Sequence, residues 1–220
     1  KTGLAAPTVF GYVGTSTTTT FVDANIGPDF SQQPPMHQNP FASSVFPACA
    51  TYYQARKCYA GPYAFPETVY TSQTGNFNNM DTHSPTQDDD AITVSLTSQQ
   101  VNAIKHLVSM NALLALTSSG AWMISGGAQQ AALTPSQIQA QPQAYNGCSD
   151  VPPLPINNDV LYVQALGSKV RDLAYNFYVN LFTGNDISVL SSHLFFGYTI
   201  LQWCYAEEPF YQISAVRDDG

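Results

Sequence analysis

Charged side chains are scarce in this chain. Asp, Glu, Lys and Arg make up 10% of the 220 residues, against roughly 25% in an average globular protein. Only seven residues are cationic, the formal net charge is -8, and no Lys/Arg cluster occurs. Because tight nucleic-acid binding needs several cations on one face, the sequence argues against attraction to DNA. Hydrophobic residues at 44% argue against disorder.

The signatures of metal-binding, secreted and membrane proteins are also missing. Cys49, Cys58, Cys148 and Cys204 have no CxxC spacing and no histidine at finger-like distance. They are therefore predicted to be free, mostly buried thiols. No apolar run reaches the ~20 residues of a membrane-spanning helix, and the first ten residues lack a signal-peptide core.

The first 46 residues differ from the rest of the chain. They combine a Gly- and Thr-rich stretch with four prolines between positions 28 and 40. Proline removes a backbone donor and favours extended structure. Residues 1–46 are therefore predicted to be an extended connector that contacts a neighbour, and residues 47–220 to form the domain proper.

A pattern recurs at intervals of about 50 residues from residue 50 onward. Four segments, 50–72, 103–126, 151–174 and 199–220, share an order of short apolar strands separated by turns. Turn sequences such as SSG at 118–120 and LGS at 166–168 fit this order. Strand-rich units of this length are typical of propeller blades. The prediction is an all-β fold of about four antiparallel, β-propeller-like blades, forming a partial propeller.

One segment is ambiguous between helix and strand. Val101, Ile104, Leu107 and Val108 have helical spacing, and Thr97 with Gln100 could form a capping box. The match to the other repeats favours at most a short helix near 97–102, followed by a hairpin. The last repeat stops at a turn, so the chain is expected to be a fragment of something longer.

Three consecutive carboxylates, Asp88, Asp89 and Asp90, precede the alternating segment AITVSL. They could bind Ca²⁺, although neighbours in an extended chain point to opposite sides. They could instead accept hydrogen bonds from turn amides, with Ile92, Val94 and Leu96 entering the core. A third interpretation is a negative channel rim that repels DNA phosphates. No metal ligand set, cofactor site or catalytic residue is predicted.

Several ordered motifs resemble a family of tail proteins of short-tailed bacteriophages, the tail nozzle or tail tubular protein B. The motifs include PFASSVFPACATYYQARKCYAGPYAFPETVYTSQTGNFNNMD, PTQDDDAITVSL, QVNAIKHLVSMNALLALTSSGAWMISG and VLYVQALGSKVRDLAYNF, and the likeness extends over about residues 20–220. The resemblance implies a propeller-based structural subunit of the virion tail, synthesised in the host cytoplasm, with no enzymatic activity and no cofactor.

The resemblance also implies partners. Members usually form a homo-oligomeric sixfold ring, in contact with adaptor and fibre proteins, through which DNA passes during ejection without specific binding. The alternative is a carbohydrate-binding or polysaccharide-degrading β-propeller. Glu207-Glu208 and the paired aromatics, such as Phe177-Tyr178 and Phe210-Tyr211, could serve that alternative. A turn and buried or inter-subunit surfaces explain them more simply.

Overall fold

The computed structural model describes residues 10–42, 45–98, 101–127 and 131–220. Within these ranges the chain is nearly all antiparallel β-structure, with one four-residue α-helix, α1 (Ser192–Phe195), after a 3₁₀ turn at Val189–Ser191. No described helix has the length and apolar character required to cross a bilayer.

Three consecutive four-stranded sheets follow the chain order. The first contains β2 (Cys49–Tyr53), β3 (Arg56–Ala60), β4 (Thr68–Thr71) and β6 (Ile92–Ser95). The second contains β7 (Ile104–Ser109), β8 (Leu113–Thr117), β9 (Ala121–Ser125) and β10 (Gln139–Ala144). The third contains β11 (Leu154–Ile156), β12 (Asp159–Val163), β13 (Val170–Asn176) and β14 (Leu181–Thr183). In each sheet, sequential strands pair with each other.

Two smaller pairs complete the structure. β15 (Ile200–Ala206) and β16 (Gln212–Arg217) form an antiparallel hairpin, and β1 (Gln33–Met36) pairs with β5 (Thr82–Ser84). The segment predicted to be a connector thus contributes a strand, β1. This strand pairs with β5, which lies in the connection between β4 and β6 of the first sheet. Phe41, further along it, packs edge-on against the ring of Tyr59, with 4.9 Å between ring centroids.

The repeat predicted from the sequence is present as antiparallel sheets. First strands begin at Cys49, Ile104, Leu154 and Ile200, so the units are spaced by 55, 50 and 46 residues. The predicted hairpin after residue 102 is confirmed as β7 and β8. The predicted short helix near 97–102 includes residues 99 and 100, which lie outside the described residues, and positions 97, 98, 101 and 102 are not helical.

Strand β8 shows how the sheets stack. All five of its residues are buried, because the second sheet has a neighbour on each face. Leu113 and Ala115 belong to a core shared with the first sheet, whereas Leu114 and Leu116 belong to a core shared with the third. Burying a leucine side chain stabilises the fold by about 1.5–3 kcal/mol. Strand β8, with the sequence LLALT, therefore packs against the first and third sheets and joins the three sheets.

Candidate functional site: an acidic turn and an uncharged crevice

The three consecutive aspartates lie in the connection between β5 and β6. Asp88 and Asp89 are exposed, whereas Asp90 is 0% exposed. Ile92 and Leu96, which follow, enter the core beside the second sheet, and Val94 packs against it. The carboxylate of Asp90 thus lies in a different environment from those of Asp88 and Asp89.

The carboxylate of Asp90 is held by the turn around it. The backbone N–H groups of His83 and Gln87 each donate to Oδ2 at 2.9 Å, and Nδ1 of His83 contacts Oδ1. Burial alone would raise the pKa of Asp90, but the hydrogen bonds from Gln87 and His83 outweigh it, so the pKa is lower than usual. Asp90 therefore stabilises the turn as an ionised acceptor.

Arg56 secures the same turn from β3. Its side chain is 1% exposed, and its guanidinium donates to three backbone carbonyls, those of Ser72 at 2.9 Å, Asp88 at 2.8 Å and Asp90. Burial lowers the pKa of Arg56, and the nearby carboxylates oppose that shift. A buried cation thus ties β4 and the acidic turn to β3.

This geometry does not assemble a cation site from the acidic run. Ca²⁺ takes six to eight oxygen ligands, and the Asp90 carboxylate already accepts three hydrogen bonds. Among the described residues there is no group of three or more His, Cys, Asp or Glu side chains that could hold a metal ion. The negative channel rim predicted for Asp88, Asp89 and Asp90 stays a prediction for the two exposed residues, whereas Asp90 is buried in the turn.

The histidines occupy four separate environments. His37 contacts the carboxylate of Asp81 at 2.8 Å, and His83 contacts Asp90 as described. His106 lies 3.2 Å from a backbone carbonyl, and burial lowers its pKa. His193 is exposed on α1.

The other acids and aromatics singled out in the sequence are mostly exposed. Glu207 and Glu208 lie in the turn between β15 and β16, as expected for a loop between strands. Phe177, Tyr178 and Phe210 are exposed, so burial within this chain does not explain them. Their exposure arises at turns, where β-structure leaves side chains unpacked.

A crevice of about 140 Å³ lies between the second and third sheets. Its described lining contains no charged side chain. The rings and amides that shape it come from all three sheets or their connections: Tyr53, Asn111, Gln141, Tyr175, Asn180 and Phe182. Sequence reasoning did not find this site, because these residues are scattered over 130 positions and form no linear motif.

Several contacts fix the shape of the crevice. The hydroxyl of Tyr175 donates to Oδ1 of Asn180 at 2.5 Å, and the rings of Tyr175 and Phe182 meet edge to face with centroids 5.4 Å apart. The hydroxyl of Tyr53 donates to the backbone carbonyl of Asn111 at 3.1 Å. The walls are therefore positioned by strands and their internal hydrogen bonds.

No protein-family model matches this chain, and no curated protein matches it.

Proposed function

We propose that this protein is a structural component of a short-tailed phage virion and forms part of the tail nozzle ring that conducts DNA during ejection. The observation that carries the proposal is the stack of consecutive antiparallel sheets. Each four-stranded sheet pairs its strands in chain order, and the second sheet is buried between the first and the third. Stacked sheets of this kind can form the side of a conduit. The motifs that resemble nozzle proteins are distributed over all the sheets.

The finer architecture in this proposal is a partial β-propeller. Three four-stranded sheets with sequential pairing, followed by a hairpin that packs on the third, are consistent with successive blades. Ile200 of β15 shares a small core with Val163 and Val170 of the third sheet. The hairpin would then be the beginning of a fourth blade.

Most cationic side chains of the described residues are buried or paired with a carboxylate, and this supports passage of DNA without adhesion. Of the six cations in the described ranges, Arg56 is buried and bonded to carbonyls. Three others form ion pairs: Lys105 with Asp150 at 3.1 Å, Lys169 with Asp186 at 3.4 Å, and Arg217 with Asp219 at 2.7 Å. A phosphate backbone would meet few uncompensated positive charges, and its affinity depends on their number.

Exposed apolar side chains support assembly with other subunits. The segment after β14 contains Leu190 at 95% and Phe196 at 86% exposure. The β15–β16 hairpin exposes Leu201, Phe210 and Val216. Large apolar side chains exposed close together in the chain are candidates for contacts with other subunits.

Immunoelectron microscopy of virions tests this role. Antibodies raised against the 220-residue chain are applied to purified particles of the phage that encodes it, with antibodies against the major capsid protein as a control. The expected result is label at the tail, below the capsid. Label restricted to fibres, or absence of the chain from purified virions by mass spectrometry, would contradict the proposal.

A further inference from the structure

The crevice between the second and third sheets has the size of one six-membered ring. Its volume is about 140 Å³, and an engineered protein cavity of about 150 Å³ binds benzene. Several lining residues, among them Asn111, Gln141 and Asn180, are exposed, so the crevice is open on one side and substituents of a bound ring can remain in water. The space therefore suits a single ring or one unit of a chain.

The lining determines what kind of ring fits. It offers the aromatic rings of Tyr53, Tyr175 and Phe182, together with the amides of Asn111, Gln141 and Asn180. Sugars have apolar C–H faces that pack on aromatic rings and hydroxyls that exchange hydrogen bonds with amides. The lining therefore combines both kinds of group that a sugar contacts, whereas a purely apolar ring would use only the aromatic ones.

The same lining disfavours charged ligands. No Lys, Arg, His, Asp or Glu is among its described residues. A carboxylate, phosphate or ammonium entering the crevice would lose water without gaining an opposite charge, and this loss is expensive. The chemistry of the walls thus points to a neutral, hydroxyl-rich ring.

Strand β10 supplies polar groups along one wall. Alternate residues of a strand share a face, and on this face Gln141 lines the crevice while Gln143 accepts a hydrogen bond from the backbone N–H of Phe182 at 2.8 Å. Nε2 of Gln143 is buried, and the described structure provides it with no hydrogen-bond partner. A donor without a partner beside the crevice wall is an additional polar group near the site.

We propose that this crevice binds one neutral hexopyranose unit, as a glycan-recognition site. Recognition is proposed without hydrolysis, because acid–base cleavage of a glycosidic bond requires carboxyl groups beside the sugar. The proposal does not depend on the virion role: a nozzle subunit and an unrelated β-protein could both carry such a site.

The test is saturation-transfer NMR with the full 220-residue chain. The probes are the methyl glycosides of glucose, galactose, mannose and N-acetylglucosamine, compared with glucuronate, glucosamine and benzyl alcohol. We expect saturable binding of at least one neutral glycoside in the millimolar range, the affinity typical of a ligand of about a dozen non-hydrogen atoms. The charged sugars and benzyl alcohol should bind more weakly.

Two variants localise the binding. Gln141→Leu removes an amide from the crevice and is expected to weaken binding about tenfold, the effect of losing one good hydrogen bond. Gln202→Leu changes the same residue type at an exposed position of β15, outside the crevice lining, and should bind as the wild type does. Circular dichroism and melting temperature check that both variants fold.

Three results would overturn the proposal. The first is no saturable binding of any neutral glycoside to the wild type. The second is a failure of the variants to localise binding, in which Gln141→Leu binds as the wild type does or Gln202→Leu loses as much binding as Gln141→Leu. The third is preferential binding of benzyl alcohol, which would make the crevice an apolar cavity. None of these results bears on where antibodies label the virion, so failure of either proposal is recognisable separately.

Discussion

Replacing Arg56 by Met should reveal how much the buried guanidinium stabilises the fold. The substitution keeps an unbranched side chain of similar length but removes the donors to the carbonyls of Ser72, Asp88 and Asp90. Two of these hydrogen bonds are buried, and a hydrogen bond from a charged group contributes about 1.5–3 kcal/mol. The Ser72 carbonyl would keep a hydrogen bond from the Thr71 hydroxyl at 3.3 Å, so the buried Asp90 carbonyl is the more costly one to leave without the guanidinium. Because removal of the charge relieves its own desolvation, the expected net loss is about 3 kcal/mol.

Urea denaturation followed by tryptophan fluorescence measures this loss. With a slope of about 3 kcal/mol per molar urea, the midpoint should fall by about 1 M. Lys57→Met is the matched control, since Lys57 is the next residue of β3 and contacts the rings of Tyr52 and Tyr59 instead of carbonyls. Its cost should be about 1 kcal/mol or less. Equal midpoints for Arg56→Met and the wild type would refute the view that Arg56 holds the turn.

Three further predictions concern other parts of the fold. Because the folded-state pKa of Asp90 is lowered, its stabilising contribution should be present above about pH 4 and disappear as the pH falls through the folded value. The stability difference between the wild type and Asp90→Asn, measured by urea denaturation from pH 7 to pH 2, should therefore shrink on acidification; a difference independent of pH would contradict this. A Cβ at Gly147 would lie 1.9 Å from a backbone oxygen, so Gly147→Ala should cost about 3 kcal/mol, whereas Gly27→Ala, in open space, should leave the melting temperature unchanged. A thiol reagent at pH 8 should modify the exposed Cys204 first, while Cys148, buried with a pKa raised to about 12, should react only after unfolding; persistence of the fast phase in Cys204→Ser would show that another thiol is accessible.

The arrangement of strands was predictable because it depends on local pattern. The four recurring segments of the sequence, 50–72, 103–126, 151–174 and 199–220, each overlap the first two strands of a sheet or of the final hairpin. Apolar runs between turn residues determine where strands begin and end. Such runs do not specify whether the sheets are arranged around a common axis, or how many there are. The β-propeller architecture therefore remains a proposal.

The environment of the acidic turn was not predictable from its own residues. Three identical side chains in a row give no indication that only Asp90 is buried. That outcome depends on Arg56, which lies more than 30 residues earlier in the chain and bonds to the turn from another strand. The sequence alone does not distinguish a buried arginine from an exposed one. An arginine beside a lysine in a strand would ordinarily be expected at the surface.

The stacking of twisted sheets also explains why a crevice forms between the second and third sheets. Sheets twist, so two packed faces touch along a central line and diverge towards the strand ends. Between the first and second sheets this space is filled by Leu133, which belongs to their shared core and whose N–H donates to the Gln54 side chain at 2.7 Å. The described part of the connection between β9 and β10 thus packs on the first sheet at Leu133, while its residues Gly127 and Ala131 border the crevice. An additional binding site can thus arise from the placement of one loop, without any change in the stacking that would serve a conduit.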